Sequence, residues 1–100
     1  MSKLGAKQEE FTLMLAKLIL WADEQNYRIR MGDVFAKTGH KENSNHYLKL
    51  AADLFVYKPG ATEQDMEAHK RMHNTWDQMG GAPRIEKDLC HYSVKWNGSY

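Results

Sequence analysis

Cysteine and charge of one sign are both scarce in this chain. A single cysteine among 100 residues means that no disulfide can form within the chain, so a hydrophobic core or a bound metal must hold the fold. Fourteen Lys and Arg residues against thirteen Asp and Glu residues leave a formal net charge of +1. This balance provides no strong electrostatic attraction to nucleic acid. We therefore expect no nucleic-acid partner.

Long hydrophobic runs are also missing. The longest apolar stretch, residues 13–22, is interrupted by Lys17 and is far shorter than the ~20 residues that a membrane span requires. Residues 1–10 contain no apolar core of the kind that a signal peptide carries. We therefore expect no membrane partner and no signal peptide.

The composition is that of one globular domain over residues 1–100. Hydrophobic residues make up 42% of the chain and charged residues 27%, which is typical of a folded protein rather than a disordered one. The length allows one modest core. We find no internal repeat and no low-complexity segment.

Apolar residues near the N-terminus repeat with helical spacing, which predicts a helix over residues 7–25 that Asn26 closes. Its apolar stripe is predicted to face the core and comprises Phe11, Met14, Leu15, Leu18, Ile19 and Ala22. Apolar side chains then alternate with Arg28 and Arg30, which predicts a strand over residues 27–35.

The rest of the chain is predicted to alternate loops with two more strands and one more helix. The predicted elements are a loop at 37–45, a strand at 48–57, a turn at 58–60, a helix at 62–79 with Thr62 as its N-cap, a loop at 82–87 and a strand at 90–96. Three strands and two helices predict an α+β domain with a small, mainly antiparallel sheet.

Two short segments supply side chains that bind metals. The first, residues 44–53, contributes His46 and Asp53, and the second contributes Asp88 and His91. Two imidazoles and a carboxylate, with a fourth position left open, form the donor set of a catalytic zinc site. Asp88, three residues before the second histidine, can approach a water at that site as a base without binding the metal. Asp53 lies in an apolar strand, where an unpaired carboxylate is costly, so its partner is a metal, a histidine or an arginine.

Strand alternation separates the neighbours of the last histidine. It predicts that Cys90 faces the core, whereas His91 lies on the polar face with Ser93 and Lys95. Cys90 is therefore not counted as a further ligand.

Two other histidines, His69 and His73, are four residues apart in the second predicted helix and share a face, which is half of a helical zinc site. The glutamate that a helical metalloprotease motif needs after the first histidine is absent, and Lys70 and Arg71 would repel a cation. We interpret the pair as part of a solvated basic helix face. His40, in the predicted loop, is interpreted as incidental.

The aromatic residues outside the first helix divide into two groups. Trp76, Tyr92 and Trp96 are interpreted as core residues rather than platforms for stacking sugars. Tyr47, beside His46, is the better candidate for the wall of a binding cleft.

The motifs as a set resemble a known family. Ser-x-His-(x)4-Ala-x-Asp over residues 44–53, followed by Asp-x-x-His and an aromatic residue over 88–92, resembles the zinc D-Ala-D-Ala carboxypeptidase/L-Ala-D-Glu endopeptidase family of peptidoglycan peptidases, which includes small phage and prophage endolysins. Residues 32–35, Gly-Asp-Val-Phe, are similar to the Gly-Glu-x-Tyr segment of phage members. Residues 76–81 are similar to their Trp-x-x-x-Gly-Gly segment. The resemblance covers residues 10–97.

The resemblance implies a hedgehog/DD-peptidase-like fold that binds Zn²⁺ through His46, Asp53 and His91, with Asp88 as the general base. It implies hydrolysis of a stem-peptide bond of peptidoglycan, either as a D-Ala-D-Ala carboxypeptidase or as an L-Ala-D-Glu endopeptidase. Ser44 is implied as a motif residue that supports the loop.

One departure from the family concerns substrate binding. Phage members usually carry an arginine directly after the Gly-Glu-x-Tyr segment, where this chain has Ala36 followed by Lys37. Lys37 is the expected substitute, as a point charge without bidentate geometry. Together with Ser44 and Tyr47 it completes the predicted substrate-binding residues. The alternative function is a catalytically weakened zinc-binding or cell-wall-binding protein on the same fold.

The resemblance also implies where the protein acts and on what. The expected partner is the peptidoglycan stem peptide, and the protein is expected to be a monomer. It is expected to be made in the host cytoplasm without a signal peptide and to act at the bacterial cell wall after release by a phage holin.

Overall fold

A computed structural model describes residues 3–33 and 44–100 of the chain. Within these ranges two helices pack on one face of a three-stranded antiparallel sheet, which confirms the predicted α+β class. The elements are helix α1 (Lys3–Glu24), strand β1 (Arg28–Met31), a 3-10 helix (Asn45–Leu48), strand β2 (Ala51–Tyr57), helix α2 (Met66–Gln78) and strand β3 (His91–Ser93). Neither described helix is long and apolar enough to cross a membrane.

Helix α1 buries the stripe that its sequence predicts. Its four buried residues recur every three or four positions and are Phe11, Met14, Leu18 and Ala22. The helix begins at Lys3 rather than at residue 7. It ends at Glu24, and Asn26 closes it as predicted in the left-handed conformation (φ 67°), while Tyr27 N donates a hydrogen bond to Ala22 O.

Strand β2 lies at the centre of the sheet and pairs antiparallel with both β1 and β3. Alternate residues of β2 are fully buried beneath the helices, namely Ala52, Leu54 and Val56. The strand begins at Ala51 and not at residue 48 as predicted. Leu48 belongs to the 3-10 helix and Lys49 adopts the left-handed conformation (φ 59°), so neither residue can join the ladder.

Strand β1 is shorter than the predicted strand over residues 27–35. Its regular ladder ends before Gly32, although Gly32 N still donates to Asp53 O and Asp53 N donates to Asp33 O, both at 2.7 Å. Residues 34–43, which include the end of this predicted strand and most of the predicted loop, lie outside the described residues.

Helix α2 begins at Met66 with Asp65 as its N-cap, so the prediction of Thr62 as the cap is wrong. Asp65 Oδ1 accepts a hydrogen bond from Ala68 N at 3.0 Å, which satisfies one of the free amides of the first turn. The chain before Asp65 is not helical because Asp65 N donates to Val56 O at the end of β2. A contact with the sheet therefore overrides the local capping signal.

The C-terminal end of α2 is shaped by two glycines, Gly80 and Gly81. The helix ends at Gln78, and Gly80 has a positive φ of 90°. A Cβ on Gly81 would lie 2.1 Å from Nε1 of Trp76, so only glycine permits this close approach. The Trp76 indole is fully buried and donates to Ser93 O at 2.8 Å.

Strand β3 is shorter than the predicted strand over residues 90–96. Trp96 leaves the sheet and pairs with Ser99 instead. Asn97 and Gly98, the two residues of the turn between them, both have positive φ (47° and 81°), as a tight hairpin requires.

Candidate metal centre

The 3-10 helix holds the first histidine of the site. Ser44 caps this helix, and its side chain accepts a hydrogen bond from His46 N at 3.3 Å. Asn45 Nδ2 donates to Val94 O at 2.7 Å and to Ser99 O at 3.1 Å, which fastens the helix to the chain that follows β3. Both polar side chains are buried. The hydrogen bonds of Ser44 and Asn45 thus fix the position of the backbone that carries His46.

Asp53 is held at the middle of the sheet. On one side its backbone exchanges hydrogen bonds with Gly32 and Asp33, and on the other it pairs in register with His91. A Cβ on Gly32 would lie 3.1 Å from Asp53 Cβ and 2.9 Å from Phe55 Cζ. Glycine at position 32 therefore leaves the space that the Asp53 side chain occupies.

These elements bring His46, Asp53 and His91 together. Nε2 of His46 lies 3.2 Å from Nδ1 of His91 and 3.3 Å from Oδ1 of Asp53. Nδ1 of His91 lies 3.8 Å from the same carboxylate oxygen. Without an ion, the two ring nitrogens share a hydrogen bond. When neither nitrogen carries a proton, all three atoms have a lone pair available to one ion. The cluster could hold a metal ion.

The spacing of the three donor atoms suits a metal. A point equidistant from the corners of a triangle with these sides lies about 2.0 Å from each, which is the length of a bond from zinc to imidazole nitrogen or carboxylate oxygen. This point lies in the plane of the three atoms, so a tetrahedral ion with bonds of the same length requires the 3.8 Å separation to shorten.

The site is largely enclosed. The side chains of His46 and His91 are 2% and 7% exposed, and that of Asp53 is 20% exposed. Burial raises the pKa of Asp53, but contact and charge attraction with His46 and His91 outweigh burial and hold its pKa well below the usual range. The carboxylate is therefore ionised at neutral pH and available as an anionic ligand.

Asp88 lies beside the cluster along the chain without joining it. Its backbone oxygen accepts a hydrogen bond from His91 N at 3.1 Å. Its side chain is exposed and does not belong to the group of ligand atoms that lie within 4.8 Å of one another. This position agrees with a role other than metal ligand.

The remaining predicted site residues do not join the cluster. Ser44 and Tyr47 are three positions apart in the chain, so they share one side of the 3-10 helix and line a cavity of about 510 Å³ with Trp96. His46, between them, points to Asp53. Lys37 lies outside the described residues, as do Ala36 and His40.

Side chains of β3 alternate between two faces as predicted, but the prediction that the His91 face is solvated is wrong. His91 and Ser93 share a face as predicted, yet both are buried rather than solvated. Cys90 shares the opposite face with Tyr92 and is only half-buried, with its Sγ 3.5 Å from Gln64 Oε1. His91 Nε2 has no hydrogen-bond partner in the part of the chain that the structure describes.

The predicted solvated histidine face on α2 is wrong. His69 and His73 are both fully buried, and both rings stack on Tyr92, with centroids at 5.9 Å and 4.1 Å. A signal for this burial exists in the sequence, because both histidines fall on the helical stripe that contains Met72 and Trp76.

The hydrogen bonds of this buried pair identify its protonation state. His69 accepts from the Tyr92 hydroxyl at Nδ1 (2.7 Å) and donates from Nε2 to Gln64 Oε1 (2.9 Å), while His73 Nε2 donates to Leu89 O (2.8 Å). Burial lowers the pKa of both histidines, that of His69 to about 4. Burial also raises the pKa of Tyr92. The pair is therefore neutral and contributes to the core.

The predicted core aromatics separate in the structure. Trp76 and Tyr92 are fully buried, as predicted, whereas Trp96 is half-buried and also lines the cavity beside Tyr47. Asn45 was not predicted at all. Its partners lie 49 and 54 residues away in the chain, and no local signal identifies them.

No family model, curated protein or solved structure matches this chain. The geometry of the site therefore carries the functional argument.

Proposed function

We propose that this chain is a zinc-dependent peptidase that hydrolyses peptidoglycan stem-peptide bonds, as a D-Ala-D-Ala carboxypeptidase or an L-Ala-D-Glu endopeptidase of phage or prophage origin. In this proposal it is made in the host cytoplasm and acts at the bacterial wall after release. The observation that carries the proposal is the convergence of His46, Asp53 and His91 on one point. The order of these residues is the order in which the resembling family carries its ligands.

The choice of zinc rests on the donor set and on the separations of the donor atoms. Two of the three separations, 3.2 and 3.3 Å, match the ~3.3 Å expected between ligands of a tetrahedral ion with bonds of about 2.0 Å, and the third, 3.8 Å, must shorten by about 0.5 Å. An octahedral ion with similar bonds would bring adjacent ligands to about 2.9 Å. Two imidazoles and one carboxylate also leave a fourth tetrahedral position for water or substrate.

The chemistry divides between the ion and the protein. Zinc held by these residues would polarise a substrate carbonyl and lower the pKa of a water ligand to about 7. Asp88 accepts a proton from the attacking water while the water oxygen forms a bond to the peptide carbonyl carbon. The carbon–nitrogen bond then breaks, and Asp88 returns the proton to the leaving amine. The enclosure of His46 and His91 keeps the two ligands fixed during these steps.

The test compares Asp88→Asn with Glu86→Gln, a matched control that neutralises another exposed carboxylate two residues away. Turbidity loss of a purified cell-wall suspension is measured alongside zinc content. We expect Asp88→Asn to retain about one zinc per chain and to lose hydrolysis by about 10²–10⁴-fold. Glu86→Gln should keep both. Unchanged hydrolysis by Asp88→Asn would rule out this residue as the base.

The same measurement decides between the peptidase and the weakened zinc-binding protein. Zinc bound by the wild type without turnover on cell wall or on synthetic stem peptides would favour the second function. Absence of zinc binding by the wild type would rule out both. A His46→Ala variant, which removes one ligand, is expected to lose zinc and hydrolysis together.

A further inference from the structure

The open face of the sheet carries two arginines in line with the metal centre. Residues that pair directly across antiparallel strands point to the same face. Arg30 pairs with Phe55 and Arg28 pairs with Tyr57, and these two β2 residues follow Asp53 at intervals of two. Both arginines and both aromatic rings therefore share the face on which Asp53 meets His91. The helices cover the other face.

This face has a surplus of positive charge. Arg28 and Arg30 are exposed, and no carboxylate of the described residues lies within ion-pair distance of either guanidinium. Arg30 Cζ lies 4.3 Å from the centre of the Tyr57 ring, so the guanidinium sits over an aromatic surface. A guanidinium in this position keeps its fork of N–H donors available to a carboxylate.

The distance between the metal centre and the Arg30 guanidinium sets the length of a ligand that can contact both. Tyr57 is four residues beyond Asp53 in the same strand, which corresponds to about 13 Å. An extended peptide that reaches from the metal centre to the Arg30 guanidinium must therefore span about four residues.

We propose that Arg30, assisted by Arg28, binds a free carboxylate of the substrate peptide on this sheet face, about four residues from the bond that is cut. The inference rests on the proposed function and refines it. A carboxypeptidase cuts the bond next to the terminal carboxylate, which would leave Arg30 too far away to contact it. The position of Arg30 therefore favours cleavage of an internal bond, as in L-Ala-D-Glu endopeptidase activity.

The experiment uses the zinc-loaded protein and two synthetic stem peptides that differ only in a C-terminal carboxylate or carboxamide. Binding is measured by NMR titration and cleavage by product analysis. For the wild type we expect the carboxylate peptide to bind about tenfold more tightly. Arg30→Gln should abolish this preference, and Arg30→Lys should retain part of it because the charge remains. Lys17→Gln removes an equal charge from the exposed side of α1 and should change nothing.

The outcomes separate this inference from the proposed function. Cleavage without any preference between the two peptides, or a preference that survives in Arg30→Gln, would overturn the role of Arg30 and leave the peptidase intact. Release of the C-terminal residue alone would also overturn it. A carboxylate preference that depends on Arg30 in a protein that cleaves neither peptide would support the binding site and reject the peptidase.

Discussion

Two pairs of histidines lie within this small fold, and they differ in what their ring nitrogens face. Nitrogens of His46 and His91 face each other and an ionised carboxylate. Those of His69 face a tyrosine hydroxyl and a glutamine oxygen, and His73 donates to a backbone carbonyl. Both pairs are buried. Burial and the presence of histidine therefore do not mark a group that could hold a metal ion, whereas the close approach of three ligand atoms does.

The difference also explains what each pair contributes without a ligand. On α2, His69 has hydrogen-bond partners at both ring nitrogens and His73 has one at Nε2, and the pair stabilises the folded protein as neutral side chains. In the pair near Asp53, two ring nitrogens lie close to each other and to the carboxylate. Only a shared proton or a bound cation would give all of these atoms a partner. We expect conditions that change metal or proton concentration to affect the two pairs separately.

The largest expected effect is stabilisation by zinc. At free zinc about 1,000-fold above its dissociation constant, the free energy of unfolding should rise by about 4 kcal/mol. For a domain of this size that corresponds to a rise in Tm of roughly 15–30 °C. His46→Gln should abolish the rise and His69→Gln should keep it, as measured by thermal unfolding with and without zinc. If both variants lose the stabilisation by zinc, the conclusion that zinc binds at His46 and His91 but not at His69 and His73 is contradicted.

The second effect is a pH dependence that belongs to the α2 pair. In the folded protein the pKa of His69 is about 4, chiefly because of burial, whereas in the unfolded chain it is about 6.5. The unfolded state therefore binds more protons between these values, so stability is full above about pH 6.5 and falls as pH is lowered toward 4. The loss reaches on the order of 3 kcal/mol.

The measurement for His69 is urea unfolding of the metal-free protein at several pH values. His69→Gln has no titratable group at this position, so its stability should fall less steeply between pH 6.5 and 4 than that of the wild type. Identical slopes for the two proteins would show that His69 is not held neutral by the fold.

The smallest effect is that of one buried hydroxyl. Tyr92→Phe removes the donor to His69 Nδ1 and leaves a buried acceptor unpaired, which should cost about 1–2 kcal/mol in the free energy of unfolding. Tyr27→Phe is the matched control, since its hydroxyl meets only the exposed guanidinium of Arg71, and it should change stability by less than about 0.5 kcal/mol. Zinc binding should be unchanged in both. Equal effects of the two substitutions in chemical unfolding would contradict the role given to Tyr92.

Local patterns predicted those parts of the fold that local forces determine. The stripe from Phe11 to Ala22 and the closure at Asn26 depend on helical spacing and a single turn residue. The convergence of the three site residues was expected because a motif, and not a pattern of hydrophobicity, connected residues 45 positions apart.

Features that depend on distant partners were missed. Thr62 has the side chain of a good N-cap, but the amide of Asp65 is taken by Val56 on the sheet, which moves the start of α2. The burial of His69 and His73 depends on Tyr92, which lies on a different element and becomes their neighbour only when β3 pairs with β2. The helical stripe on α2 indicates that these two positions are buried, but the residue that covers them has no local signature in the sequence.

The close approach of His46 and His91 means that one ion could connect two distant parts of the chain. These residues are 45 positions apart, and an ion bound to both would close the intervening chain into a loop. In the chain-entropy model a disulfide of that span would restrict the unfolded chain by about 4 kcal/mol, whereas an ion that leaves on unfolding stabilises the folded state alone. A protein with one cysteine cannot form such a link with sulfur. A bound metal ion would join the same two positions in the folded state, and a chelator would remove that link as a reducing agent removes a disulfide.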